Sequence, residues 1–252
     1  YMIGDIDIEK ASAALEATFG KWSAENKSSL QTVGRAVEQG KRVILVDHPG
    51  AVSSTIVAGH AIAPYDADRY TAMDVMNRVI GGSFESRLNM NLREDKSWSY
   101  GYRSGISTNT SGDMAFRTNG QVQTDKTAES MLEIRRELEE FLTGNPATET
   151  EVERIRLNRM RSLPGTFATN GGFLGSMITS ASYGLPFDYA ESSAKRVAAV
   201  TLDDVHEAAK STIDPTSLTW LVIGDLAEIE ESVRALNFGE VEVWDAFGKR
   251  LR

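Results

Sequence analysis

The sequence predicts an α+β fold with a largely antiparallel sheet covered by helices. Three observations carry that expectation. Segments with two-residue alternation and segments with helical spacing both occur. Their order is strand pair, helices, hairpin, helices, strand, which lacks the strand–helix alternation of a parallel sheet. The chain has 252 residues, 41% of them hydrophobic and 25% charged, enough to bury one sizeable core.

The opening Tyr1-Met2-Ile3-Gly4-Asp5-Ile6 reads as a strand end followed by a helix, with Ile8, Ala11 and Leu15 at helical spacing before Phe19-Gly20. The same order returns 220 residues later, from Asp5 to Asp225, with Leu221-Val222-Ile223-Gly224-Asp225-Leu226, then Ile229, Val233 and Leu236 before Phe238-Gly239. Residues 1–22 are therefore expected to be the tail of a preceding homologous half. Residues 23–40, polar from Ser23 to Ser29, are expected to be a linker; 41–239 a complete second copy; and 240–252 a C-terminal tail.

Within the second copy, Arg42 to Asp47 is a buried-type strand stopped by His48-Pro49-Gly50, and Ser53 to Ile62 is expected to pair with it. Asp66 caps a helix carrying Tyr70, Met73, Met76 and Ile80 on one face, stopped by a left-handed residue at Gly81-Gly82. Ser83 is expected to cap the next helix, with Phe84, Leu88 and Leu92 on its apolar face and Arg93 in its last turn. Alternation then places Trp98, Tyr100 and Tyr102 on one strand face. Met114, Phe116, Thr118 and Val122 form the other arm of a hairpin across Asn109 to Gly112. Met131, Ile134, Leu138 and Phe141 mark a helix broken at Gly144-Asn145-Pro146, and Thr148 with Glu151 opens another as a capping box. Phe167 to Tyr183 is a weaker helix because of Gly171, Gly172 and Gly175. Short helices follow Pro186 and Thr201, the latter capped with Asp204, before a last strand from Leu218.

A net charge of -9 is the wrong sign for a protein that condenses on nucleic acid or anionic lipid. No apolar run approaches the roughly 18 residues of a membrane-spanning segment. The absence of cysteine removes thiolate chemistry and cysteine-ligated metals. His48, His60 and His206 lack HxxEH or HExxH spacing and are assigned no function, so no metal site is expected in this chain. Gly81-Gly82-Ser83 lacks the Lys of a phosphate loop, no GxSxG elbow is present, and Glu133, Glu137, Glu139 and Glu140 read as a solvated helix face.

What remains is the stretch Leu92 to Gly101, in which a helix end delivers the guanidinium of Arg93 and the next strand delivers the phenol of Tyr100. Both donate hydrogen bonds and can bind a peptide carbonyl or the oxyanion formed from it, but neither activates water alone. An Arg closing a helix C-terminus and an aromatic packed on the core account for the same two residues, and on the residues alone this plainer reading is preferred.

The sequence is similar to the insulinase/pitrilysin-type zinc metallopeptidases, the inverzincins, a family that includes the mitochondrial processing peptidase. The resemblance rests on Gly81-Gly82-Ser83-Phe84 through Ser86-Arg87-Leu88, then Leu92-Arg93-Glu94 with Tyr100 seven residues beyond the Arg. Further matches are Leu163-Pro164-Gly165, Tyr183-Gly184-Leu185-Pro186, Val200-Thr201 with Asp204-Val205, and Val222-Ile223-Gly224-Asp225. It implies one complete half of a duplicated metallopeptidase fold, the C-terminal half of a bacterial member. The zinc would be bound outside this chain, at an HxxEH in the N-terminal half or on a partner subunit. Arg93 would orient the backbone of a peptide substrate, and Tyr100 would hydrogen-bond the scissile carbonyl. The fragment alone would be inactive, with a dimer possible and a periplasmic location implied. The peptide would add as an extra strand to a sheet edge. The alternative within the family is a non-catalytic structural or partner subunit of the same fold. One position departs from the pattern: Ser97 stands where many bacterial relatives have Gly.

Overall fold

A computed structural model describes residues 1–23, 40–109 and 112–252. The expected linker lies almost wholly outside the described residues. In chain order the elements begin with α1 (Ile8–Phe19), β1 (Arg42–Asp47), β2 (Ser53–Ile62) and α2 (Ala67–Ile80). Next comes α3 (Arg87–Asn89), continued as a π-helix over Met90–Asp95, then β3 (Ser99–Thr108), β4 (Met114–Gln123), α4 (Thr127–Leu142) and α5 (Glu149–Thr166). The last are α6 (Asn170–Ser182), α7 (Ser193–Ala199), α8 (Leu202–Thr212), β5 (Thr219–Gly224), α9 (Leu226–Ala235) and β6 (Glu240–Trp244). The described residues form two compact units, those within Tyr1–Arg35 with Arg161–Ser193, and those within Ala36–Met160 with Ala194–Arg252.

The larger unit is built on a six-stranded sheet of order β3-β4-β2-β5-β1-β6. The pairs β3/β4, β4/β2 and β2/β5 are antiparallel, while β5/β1 and β1/β6 are parallel, so the sheet is mixed with an antiparallel majority. The expected pairing of β1 with β2 does not form, because β5 lies between them. The turn after β1 instead crosses the end of β5: His48 N–H donates to the Gly224 carbonyl at 2.8 Å, and Gly50 N–H donates to Asp225 Oδ2 at 2.7 Å. Asp47 Oδ1 receives the Leu226 N–H at 3.1 Å, and Asp225 caps α9 through Ala227 N–H. The Gly-Asp pair is thus a strand stop, a helix cap and an anchor for the crossover. The stretch set apart as a tail supplies β6, in register with β1 from Arg42/Glu240 to Val46/Trp244.

Alternate residues of β2, β4 and β5 are buried and their neighbours are part-buried or exposed, so one face of the sheet carries the helices. Ile56, Phe116, Trp220 and Val222 on that face pack with Met76 and Ile80 of α2, Ile134 and Leu138 of α4, Val205 of α8 and Ile229 of α9. Each such side chain contributes about 1.5–3 kcal/mol through removal from water. The capping boxes at Thr148/Glu151 and Thr201/Asp204 form as the spacing predicts.

Two helix boundaries differ from expectation. No residue in left-handed conformation ends α2; Gly81 and Gly82 N–H both donate to the Asn77 carbonyl, at 2.9 and 2.7 Å. Gly81 is needed for closeness, since a Cβ there would collide with the backbone and hydroxyl of Ser104 on β3. Ser83 caps no helix; its hydroxyl donates back to the Arg78 carbonyl at 2.9 Å, and α3 starts only at Arg87. Phe84 therefore sits before the helix, 52% exposed, while Leu88 and Leu92 are buried. In the smaller unit, α6 forms despite its glycines. Thr169 caps it through Gly172 N–H, and Gly172 passes so close to the Thr166 carbonyl that no Cβ fits.

Candidate functional site

The segment from Arg87 to Gly101 builds the site. Arg87 anchors its start with a fork to Glu151, Nε–Oε1 at 2.9 Å and Nη2–Oε2 at 2.8 Å, and with bonds to the carbonyls of Asn145 and Pro146. Asn89 is buried; it donates to the Phe84 carbonyl at 2.7 Å and accepts the Tyr102 N–H at 3.3 Å, tying the loop before the helix to β3. Asn91 donates to Glu133 and Glu137 of α4 at 2.9 and 2.7 Å. These two carboxylates are consequently not a purely solvated face. Burial pushes the Glu133 carboxyl up, but hydrogen bonds from Arg136 and Asn91 outweigh it and leave it below the usual range.

Between these anchors the helix widens to i→i+5 bonding, with Lys96 N–H reaching the Asn91 carbonyl at 3.1 Å. A π-turn holds one more residue than an α-turn and so redirects the side chains that follow. Arg93 lies in it, 38% exposed, its guanidinium 4.8 Å from the Phe84 ring centre and its Nε 3.1 Å from Glu94. Ser97 then takes φ 56°, the left-handed conformation that glycine adopts most easily. The turn at this departure from the family pattern is therefore one that Gly would also make.

Tyr100 does not share the buried face of Tyr102. The register shifts between Ser99, opposite Val122, and Gly101, opposite Gln121, leaving Tyr100 as the extra residue of a bulge. It is 98% exposed, whereas Tyr102 is fully buried with its hydroxyl 3.0 Å from Thr118 Oγ1. Burial pushes the Tyr102 phenol above the ordinary tyrosine range, against a smaller opposing effect of that hydrogen bond. Arg93 and Tyr100 line one open cavity of about 610 Å³ together with Val52, Trp98, Gln121 and Gln123. Packing against the core, the alternative reading for Tyr100, is excluded by its exposure.

His60 and His206 serve the fold. His60 Nε2 accepts the Asp214 N–H at 3.0 Å while Nδ1 meets the Ala61 carbonyl at 2.9 Å, and His206 Nε2 meets the Ala147 carbonyl at 2.9 Å. Among the described residues no group of three His, Asp or Glu side chains is gathered to hold a metal ion, so these residues do not fit zinc. No helix among them is long and apolar enough to cross a membrane. The sequence reading overlooked Asn89, Asn91 and Arg103. A signal for the asparagines was present, because both flank the apolar Leu88 and Leu92 positions of the helical pattern.

The peptide expected as an extra strand meets occupied edges. On β3, the N–H groups of Tyr102 and Ser104 are already taken by Asn89 Oδ1 and the Gly81 carbonyl. On β6, residues 249–252 run back along the strand, with Leu251 N–H to the Val243 carbonyl at 2.7 Å and Val243 N–H to the Arg252 carbonyl at 2.8 Å. Strand addition is blocked at these positions because the edge groups have partners.

A family model described as the peptidase M16 inactive domain matches residues 1–158. No curated protein matches. Among solved structures, the chain is similar to a peptidase M16 inactive domain from Pseudomonas fluorescens, with 21% identity and a TM-score of 0.71 over 88% of this chain and 52% of that one. It is similar to the periplasmic protease PqqL from Escherichia coli, with 16% identity and a TM-score of 0.65 over 88% of this chain and 24% of that one. A chain of complex III from Candida albicans gives 13% identity and a TM-score of 0.67 over 93% of this chain and 57% of that one. This chain thus spans about half the length of the Pseudomonas protein.

Proposed function

The chain belongs to the peptidase M16 inactive-domain family, and from that premise we propose that it is the substrate-holding half of a zinc metalloendopeptidase acting on peptides or unfolded segments. Arg93 orients the substrate backbone, and Tyr100 donates a hydrogen bond to the scissile carbonyl as negative charge develops on its oxygen. The zinc, and the attacking water it activates, belong to an N-terminal half or a partner subunit. The observation that carries this reading is the bulge at Tyr100, which removes the phenol from the core and stands it over the cavity that Arg93 lines.

With the Tyr102 and Ser104 N–H groups of β3 and the Val243 groups of β6 already partnered, the chain's hold on a peptide rests on these side-chain donors, and main-chain pairing falls to the other half. The same reading keeps 1–22 as the tail of a preceding half, 23–40 as a linker and 41–239 as the second copy, joined by 240–252 through β6, and a location in the periplasm, the latter supported by likeness to PqqL and checked by cell fractionation.

The test is Tyr100→Phe in the protein assembled with its zinc-bearing half. Turnover should fall about 10²-fold, the scale of one lost oxyanion donor, with zinc content unchanged. Unaltered turnover would remove the role. A second reading, a non-catalytic structural or partner subunit, is favoured by likeness to a chain of complex III. It predicts that no HxxEH occurs either upstream in the same polypeptide or in any subunit that copurifies.

A further inference from the structure

We propose that Arg93 and Arg103, stacked against the same Phe84 ring, form a carboxylate-recognition site that adjoins the Arg93/Tyr100 cavity through Arg93 and selects for an acidic group on the bound peptide. This rests on the reading that peptide is held at Arg93 and Tyr100, and it adds the substrate class.

The two guanidinium carbons lie 4.8 and 5.9 Å from the centre of the Phe84 ring, so they are no further apart than those two distances placed end to end. Arg103 gives one hydrogen bond, from Nη1 to the Tyr102 carbonyl at 3.2 Å, and among the described residues no carboxylate forms an ion pair with it. Arg93 meets Glu94 through Nε at 3.1 Å, and its Nη groups donate no hydrogen bond among the described residues, so they can serve another acceptor. The cluster therefore holds two cations and one anion on a chain whose net charge is -9. Partial burial lowers the Arg103 pKa, and the charge of Arg93 lowers it further. Cation–π contact with Phe84 offsets part of that repulsion. A carboxylate drawn to this pair would offset more, because its charge is opposite to both and its oxygens accept guanidinium hydrogen bonds. The exposed part of the Phe84 ring offers apolar surface to the methylene stem of such a group. The same pair repels a basic residue, so discrimination comes from both attraction and exclusion.

The experiment uses the protein assembled with its zinc-bearing half and a panel of matched peptides. One arm places Glu or Gln at each position flanking the scissile bond, and the other compares a free C-terminal carboxylate with its amide. The unmodified protein should prefer the acidic member of one arm by about tenfold in kcat/KM, as for one charge-assisted hydrogen bond. The arm that responds identifies a side-chain or a terminal carboxylate as the ligand. Arg103→Gln should bring that ratio close to one, and Arg103→Lys should retain part of it. Ratios near one in every arm of the unmodified protein overturn the proposal, as does a preference that survives Arg103→Gln. If Tyr100→Phe leaves turnover unchanged, the underlying peptidase reading fails instead. Binding of the same peptide pairs, followed by fluorescence anisotropy, then decides the carboxylate site independently of turnover.

Discussion

Ser97 and Tyr100 illustrate how much a single residue's conformation decides. A non-glycine residue held at φ near 56° costs on the order of 1 kcal/mol, and Gly removes that cost while adding some unfolded-state entropy. Ser97→Gly should therefore raise stability by about 0.5–1 kcal/mol, read as a higher urea midpoint at unchanged slope, and an unchanged or lower midpoint would show that the serine contributes more than its strain. Tyr100 was legible as a chemical candidate from its spacing to Arg93. Its direction was not, because strict alternation puts Trp98, Tyr100 and Tyr102 on one face and a bulge leaves no mark in the pattern of apolar residues. Arg103 was passed over because nothing in the sequence shows that its guanidinium and that of Arg93 meet on one ring.

At the scale of elements, the short α3 and its π-turn are held in place by polar contacts at both ends. Arg87 joins the start of α3 to the N-terminus of α5 through the Glu151 fork, with both side chains largely buried. Removing one partner leaves the other charge without its mate, so Arg87→Ala should lower stability by about 3 kcal/mol. Arg87→Lys should recover only a minority of that, because an ammonium cannot reproduce the fork. Urea midpoints for the two variants check this, and equal recovery by Lys would mean that charge alone matters. The hairpin, the capping boxes and the long helices were legible because their signals are local. The separation of β1 from β2 by β5 was not, because it depends on a strand more than 150 residues away, and no turn signal encodes what will insert between two neighbours in sequence.

For the molecule as a whole, acid stability follows from carboxylates held below their ordinary range. Hydroxyl donors on Ser217 and Thr216 bring Asp214 from 3.8 to about 2, and at Glu151 the Arg87 fork and the Thr148 donors outweigh the upward push of burial. A carboxyl whose folded pKa is depressed stabilises the fold above its unfolded pKa, and this stabilisation fades as pH falls toward the folded value. Asp214→Asn should thus be less stable than the parent near neutrality, the gap closing as pH drops from about 4 toward 2. Denaturation midpoints across that range test it, and parallel curves would assign no linkage to Asp214. The partnered edge groups of Tyr102 and Ser104 on β3 and of Val243 on β6 belong to this scale too, since they guard the sheet against unplanned pairing at those positions. By itself the sequence determined the α+β class, most helix and strand positions, the kinship and the two donors worth testing, because periodicity, capping residues and motif spacing are local properties. Only the tertiary structure decided the strand order, the outward turn of Tyr100, the anchoring asparagines and the pairing of two guanidiniums on Phe84. Those depend on which distant backbone groups come within hydrogen-bonding distance, and that is settled when the sheet and its helices pack together.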